Sequence, residues 1–346
     1  MPLCIECEFL VGQLFYPKDW QFRKRLHRSW LDESCELCNL FPSHRSGQHR
    51  DIKPDICDAL ASLLARGHSG VAIAFGFSSA GSYMDSLQFL AEPSSEAFKS
   101  GDITGALLEN TGSIESLGLV VGWFDSCRRD HDGCCSTLGG QRLDNALLLP
   151  TRILYVGSSD DNIVKLVETW NWSRKEEQWA ALSHCWGGKM PISTTHATLQ
   201  SHREGIALSE LPQTFCDAVK VARALGLEYL WIDMLCIIQD DPEDWNRESA
   251  RMGYVYECAE NANQGCFVNM GHQGSMVELP YIKNNVQLGR FFASKALDYG
   301  GSSAFAPLIG RAWALQERAL ARRTVVYTSS GVWWECRNNK NLRVQA

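Results

Sequence analysis

The chain has 346 residues, 45% of them hydrophobic, and a formal net charge of −7. That length carries two domains, or one large domain with an accessory region, and that apolar share supports a packed core rather than disorder. Lys and Arg are scattered and fewer than Asp and Glu, which leaves no footprint for nucleic acid, and no apolar run reaches the roughly 18 to 20 residues that span a bilayer.

The start, Met1-Pro2-Leu3-Cys4-Ile5-Glu6, lacks a charged segment followed by an apolar core, so the chain is expected in the cytoplasm. Fourteen cysteines in such a chain read as free thiols or metal ligands, not as a disulfide framework. Residues 1–145 are expected to form a cysteine-containing, mainly helical accessory region, broken by turn-forming stretches such as Ser78-Ser79-Ala80-Gly81-Ser82 and Pro93-Ser94-Ser95. Cys4 and Cys7, and Cys35 and Cys38, are two-residue-spaced pairs, and Cys127, His131, Cys134 and Cys135 form a third group. A structural zinc held by Cys35, Cys38, Cys127 and either His131 or Cys134 would tie the region together. The competing reading is that these are buried thiols that need no ligand.

A second domain is expected over residues 146–346. It opens on strand-like residues from Leu147 to Val156, ended by Gly157-Ser158-Ser159. Trp179 to Ser183 is a short apolar run, as in a buried strand. Ser209 can cap a helix whose Phe215, Ala218, Val219, Ala222 and Leu225 share one face and which Gly226 stops. Tyr229-Leu230-Trp231-Ile232 has the aromatic and branched content of a central strand and ends at Asp233. Asp241-Pro242 starts a second helix with Trp245, Ser249, Met252 and Tyr256 along one side. The segment Cys258 to Val268 makes a poor strand. A helix over Ala312–Ala321, a strand over Thr324–Thr328 and a hairpin partner around Val332-Trp333-Trp334-Glu335-Cys336 complete the series. Alternating strands and helices predict an α/β fold with a parallel sheet flanked by helices.

In such a sheet, ligands bind beyond the carboxyl ends of the strands. Ser183, His184 and Asp233 fall at that edge. Asp233 would bind a ribose hydroxyl or a cation there, or cap the following turn. His184 and Cys185 are adjacent on a strand and point to opposite faces, which argues against a thiol nucleophile. Neither a P-loop nor a strand-linked G-x-G-x-x-G is present.

Four blocks recur in a fixed order: Ala180-Ala181-Leu182-Ser183-His184-Cys185-Trp186-Gly187; Leu211-Pro212-Gln213-Thr214-Phe215; Tyr229-Leu230-Trp231-Ile232-Asp233 running on to Gln239-Asp240-Asp241; and Arg311-Ala312-Trp313-Ala314-Leu315-Gln316-Glu317-Arg318. Together, within core motifs over 178–335, they resemble the heterokaryon incompatibility (HET) domain of filamentous fungi. The likeness extends more weakly through Gly122-Trp123-Phe124 and Cys127 to Leu149-Pro150-Thr151-Arg152. What it implies is a cytoplasmic trigger of regulated cell death in non-self recognition, working with protein partners or by self-association. Met234 stands where that family usually has a small residue.

The HET domain is in turn distantly similar to the Toll/interleukin-receptor (TIR) fold, a flavodoxin-like core. Some TIR members hydrolyse NAD with one glutamate that follows an aromatic residue on a helix. By that resemblance Glu317, four residues after Trp313, is the first candidate for a catalytic carboxylate, and Glu248, after Trp245, the second. Ser183, His184, Trp186, Asp233, Arg311 and Trp313 would bind the nucleotide. Against this, Glu317 can be an ordinary helix residue paired with Arg311, Arg318 or Arg322, and the domain a non-catalytic, self-assembling module.

Overall fold

A computed structural model describes residues 3–5, 7, 8, 11, 23–26, 34–40, 59–67, 70–77, 84–103, 105–136, 149–158, 161–172, 177–184, 192–259, 261–264, 267–269, 276–295, 317–328 and 331–338. In chain order the first elements are β1 (Arg23–Leu26), α1 (Glu36–Asn39), β2 (Ala59–Gly67), β3 (Gly70–Phe77), β4 (Met84–Ala91), α2 (Glu96–Lys99) and β5 (Gly105–Ala106). Next come α3 (Ile114–Asp130), β6 (Arg152–Tyr155), β7 (Ile163–Glu168), β8 (Trp179–Ser183), α4 (Leu199–Glu204), β9 (Ile206–Ala207), α5 (Gln213–Ala224) and β10 (Tyr229–Trp231). The rest are α6 (Asp233–Cys236), α7 (Pro242–Cys258), β11 (Asn261–Gln264), β12 (Val277–Lys283), β13 (Val286–Lys295), β14 (Arg323–Thr328) and β15 (Gly331–Cys336).

The elements fall into two compact units. One comprises residues 1–108, 271–298 and 344–346, the other 109–270 and 299–343. The first holds a sheet in the order β1-β2-β3-β4-β13-β12, every pair antiparallel, with β5 added in parallel to β4. The expectation of a mainly helical N-terminal region is therefore corrected: up to Leu108 its described residues hold more strand than helix, and α3 (Ile114–Asp130) supplies most of the helix in residues 1–145. The Ala and Leu of β2 have high helix propensity, but pairing to neighbours on both sides outweighs a weak local preference. Phe89, Ala91, Leu279, Tyr281, Phe291 and Ala293 are buried in this unit's core.

The second unit is built on an eight-stranded sheet, β15-β14-β11-β8-β10-β6-β7-β9. Only its middle, β14, β11, β8 and β10, is parallel. The outer pairs are antiparallel, so the sheet is mixed, not wholly parallel as the alternation predicts. β14 and the edge strand β15 form the expected hairpin, with Val326 opposite Trp333, and hairpins can only be antiparallel. β8 is buried along its whole length, as a strand covered on both faces should be.

Helices cover this sheet. α5 buries Phe215, Ala218, Val219 and Ala222, on the face its spacing predicts. It starts later than expected: Ser209 sits in a single 3-10 turn, and Pro212 precedes the helix. Gly226 stops it at φ +71°, the left-handed conformation that favours glycine. α7 begins as predicted, with the Asp241 carboxylate accepting the N–H groups of Glu243 and Asp244 and Pro242 in the first turn. Of the expected side, Tyr256 is buried, Ser249 and Met252 are half-buried and Trp245 alone is exposed. Asp244, Glu248 and Val255 are buried as well. Tyr256 packs edge-on against Trp231, at 5.7 Å between centroids, and donates to the Leu182 carbonyl at 2.8 Å, fixing α7 over β8 and β10. Among the described residues no helix is long and apolar enough to cross a membrane.

Candidate functional site

The order of the parallel strands locates the site. The chain passes from β8 to its neighbour β10 on one side, then crosses to β11 and β14 on the other. The connections leaving β8 and β11 thus run in opposite directions, and in open α/β sheets ligands bind beyond the carboxyl ends at such a reversal. β8 ends at Ser183, which lies opposite Gln264 of β11. Trp231 of β10 pairs with Ala181, and two residues further on Asp233 opens α6.

Four of the expected residues meet at this edge. The Ser183 hydroxyl donates to the carboxylate of Glu317, 134 residues away in sequence, and both side chains are buried. Residues 317–320 are helical and lead straight into β14. Beside them, His184 Nδ1 lies 3.7 Å from Asp233 Oδ1. The imidazole stands edge-on to Phe215 at 4.9 Å, and its Nε2 is 3.4 Å from the Met234 sulfur. Asp233 Oδ1 also accepts the N–H of Met234 at 2.7 Å, and the Asp233 carbonyl accepts from Gln239 Nε2 at 3.0 Å. Asp233 therefore fixes the turn into α6 while facing His184. Met234, bulky where a small side chain was anticipated, is itself buried against that histidine.

Arg318 pairs with Glu335, and Arg322 donates to the carbonyls of Cys134, Cys258 and Ala259. Trp186, Arg311 and Trp313 lie outside the described residues. Glu248 belongs to a different group. Its carboxylate is 3.2 Å from Arg247 Nε and 4.0 Å from an Arg251 nitrogen, one turn along α7 from Asp244, which pairs with Arg152 and Arg247. Arg152 Nε further donates to the Cys236 carbonyl at 2.8 Å, and Asp244 Oδ2 accepts from Ile238 N at 2.9 Å. This network ties α7 to β6 and to the segment after α6. Burial pushes the thiol of Cys236, at its centre, up to about 12.

The metal-ligating candidates separate into two sets. Cys35 and Cys38 join Cys4 and Cys7, whereas Cys127, His131 and Cys134 join Cys336. In each set the ligand atoms all lie within 4.8 Å of one another, and the described cysteines are free thiols. Both sets have the donor chemistry of a zinc site, one with four thiols and one with three thiols and an imidazole. In the second, Cys336 Sγ is 3.4 Å from His131 Nδ1, and Arg323 Nε donates to Cys127 Sγ at 3.3 Å. A hydrogen bond from Cys127, with one from Cys336 and the Arg323 charge, holds the Cys134 thiol far below its ordinary value. Sequence spacing had signalled the Cys4 and Cys7 pair but not which pair it meets. Cys336 carried no signal, standing about 200 residues from its partners, as its contact with His131 shows.

No curated protein and no solved structure matches the chain. Residues 179–317, which begin on the first residue of β8 and end on the carboxylate that Ser183 contacts, match the family model described as Heterokaryon incompatibility protein (HET), so this stretch of the chain is a HET domain.

Proposed function

We propose that this HET domain triggers regulated cell death on non-self recognition, acting with protein partners or by self-association, and that its output is hydrolysis of NAD with Glu317 as the catalytic carboxylate. The observation that carries the reading is a buried glutamate brought from 134 residues away onto the hydroxyl of Ser183, at the carboxyl edge of a parallel β-core. A carboxylate there suits the reaction. As the bond between C1′ and the nicotinamide nitrogen breaks, its electron pair leaves with the nitrogen, which becomes neutral, and the ribose acquires oxocarbenium character that a nearby negative charge stabilises. Water adds to C1′ and loses its proton through Glu317 to solvent, giving nicotinamide, ADP-ribose and one proton. In this reading Ser183 orients Glu317, His184 and Asp233 hold ribose hydroxyls, and Trp186, Arg311 and Trp313 supply stacking and charge to the rest of the nucleotide.

NAD turnover by the purified chain at high concentration, wild type against Glu317→Gln, with products separated by chromatography, tests this. The expected result is nicotinamide release that falls about 10²- to 10³-fold in the variant, the scale of losing one transition-state stabilising group. Absence of turnover in wild type, even when assembled, overturns the hydrolase and leaves a non-catalytic signalling module. A structural zinc in the set Cys127, His131, Cys134 and Cys336, joining the end of α3 to the end of β15, completes the reading.

A further inference from the structure

We infer that Cys4, Cys7, Cys35 and Cys38 form a tetrathiolate zinc site in the first unit, outside the HET domain and independent of any chemistry at Glu317. Two Cys-x-x-Cys turns, 31 residues apart, bring four sulfurs together. Cys4 Sγ is 3.6 Å and Cys7 Sγ 3.5 Å from Cys38 Sγ. Sulfurs about 2.3 Å from a tetrahedral zinc stand about 3.8 Å apart, whereas disulfide sulfurs are about 2.05 Å apart. The observed separations fit the first arrangement and exclude the second.

The surroundings match as well. Cys7, Cys35 and Cys38 are buried and Cys4 is half-buried, among Leu3, Val11, Leu37 and Leu40. Thiols are weak hydrogen-bonding groups, so four of them facing one another contribute little cohesion, while a metal at their centre joins the two turns directly. The N–H of Cys4 points at Cys35 Sγ across 3.4 Å, the backbone donor that zinc-bound thiolates characteristically receive. Each turn closes on its own backbone: Glu8 N donates to the Cys4 carbonyl at 2.9 Å and Asn39 N to the Cys35 carbonyl at 3.2 Å. The geometry of each pair is thus set locally, and the ion supplies the link between them. With all four ligands from protein, the site is structural, without an open position for substrate.

The test is metal content of the full-length chain, purified without added metal and measured by mass spectrometry for zinc and iron, in wild type, Cys35→Ser/Cys38→Ser and Cys336→Ser. Wild type is expected to hold one zinc more per chain than the Cys35→Ser/Cys38→Ser variant, and Cys336→Ser to retain that ion. Cobalt exchanged into Cys336→Ser is expected to give the intense visible absorption of a tetrahedral thiolate complex. A second variant, Cys38→His, keeps a competent donor and is expected to keep the zinc, which separates ligand loss from misfolding. Equal zinc in wild type and Cys35→Ser/Cys38→Ser overturns the site. So does iron in place of zinc, or a disulfide among these four cysteines in the non-reduced protein. None of these outcomes depends on NAD turnover, so the site and the hydrolase stand or fall separately.

Discussion

Arg152 is a cation at the start of a strand that continues as Ile153 and Leu154, and its side chain is almost wholly removed from water. It is held there by Asp244 and by the Cys236 carbonyl. Breaking a buried pair leaves one charge uncompensated, which costs more than the intact pair contributes. Arg152→Met is expected to lower the unfolding free energy by about 3 kcal/mol, the low end of the range for such losses because Arg247 still faces Asp244. Arg152→Met/Asp244→Leu is expected to cost less than the sum of the two single changes. Urea denaturation of the four proteins reads this directly, and strict additivity would show that the two groups are not coupled. At this scale the sequence was half informative. Ser183 and Asp233 could be placed at strand ends because the strands before them are unbroken apolar runs. That Glu317 reaches Ser183, or that Asp244 rather than Trp245 faces inward, depends on which distant partner supplies a donor, and spacing along one helix carries no such information.

Elements were legible where local chemistry and tertiary demand agree. β8, β10, α5 and α7 have apolar runs or one-sided helices with recognisable ends, and the structure has them all. β11 is the instructive exception. Asn261-Ala262-Asn263-Gln264 is poor strand material, yet it runs in the middle of the sheet, paired in parallel to β8 on one side and β14 on the other. Two ladders of backbone hydrogen bonds impose the strand, so its own side chains did not announce it. Element ends give a sharper comparison. Gly157 and Gly226 both adopt left-handed φ, +64° and +71°, where a Cβ costs roughly 1 to 2 kcal/mol. A Cβ on Gly226 meets nothing within 4 Å, whereas one on Gly157 would overlap Asp161 Oδ2. That oxygen accepts the N–H of Ser158 at 2.8 Å. Gly226→Ala is therefore expected to show the backbone cost alone, and Gly157→Ala a larger loss, because Asp161 must move off Ser158. Equal losses in thermal denaturation would mean that the Asp161 turn adds nothing.

Across the whole molecule, the chain leaves the HET unit near residue 271, runs through β12 and β13 as part of the first unit, and returns near 299. The excursion lies inside the stretch that matches the HET family model, so sequence order alone would assign it to that domain. Among the contacts that join it to the N-terminal unit, besides the pairing of β13 with β4, are those of Asp102, which accepts from Tyr281 at 2.6 Å and Lys283 at 2.8 Å. Burial raises the pKa of this carboxyl, but the hydrogen bonds from Lys283 and Tyr281 outweigh it and the net shift is downward. A carboxylate with a lowered folded pKa contributes stability above its ordinary value of 3.8, and that contribution is lost as pH falls through the folded value. Asp102→Ala is accordingly expected to speed amide hydrogen exchange over residues 277–295 at neutral pH while leaving β8, β10 and α7 unchanged. The difference in urea midpoint between variant and wild type is expected to shrink as the pH is taken below 3.8. Exchange that accelerates equally in α7 would show that the hairpin unfolds with the HET unit, and the excursion would then belong to the domain whose sequence surrounds it.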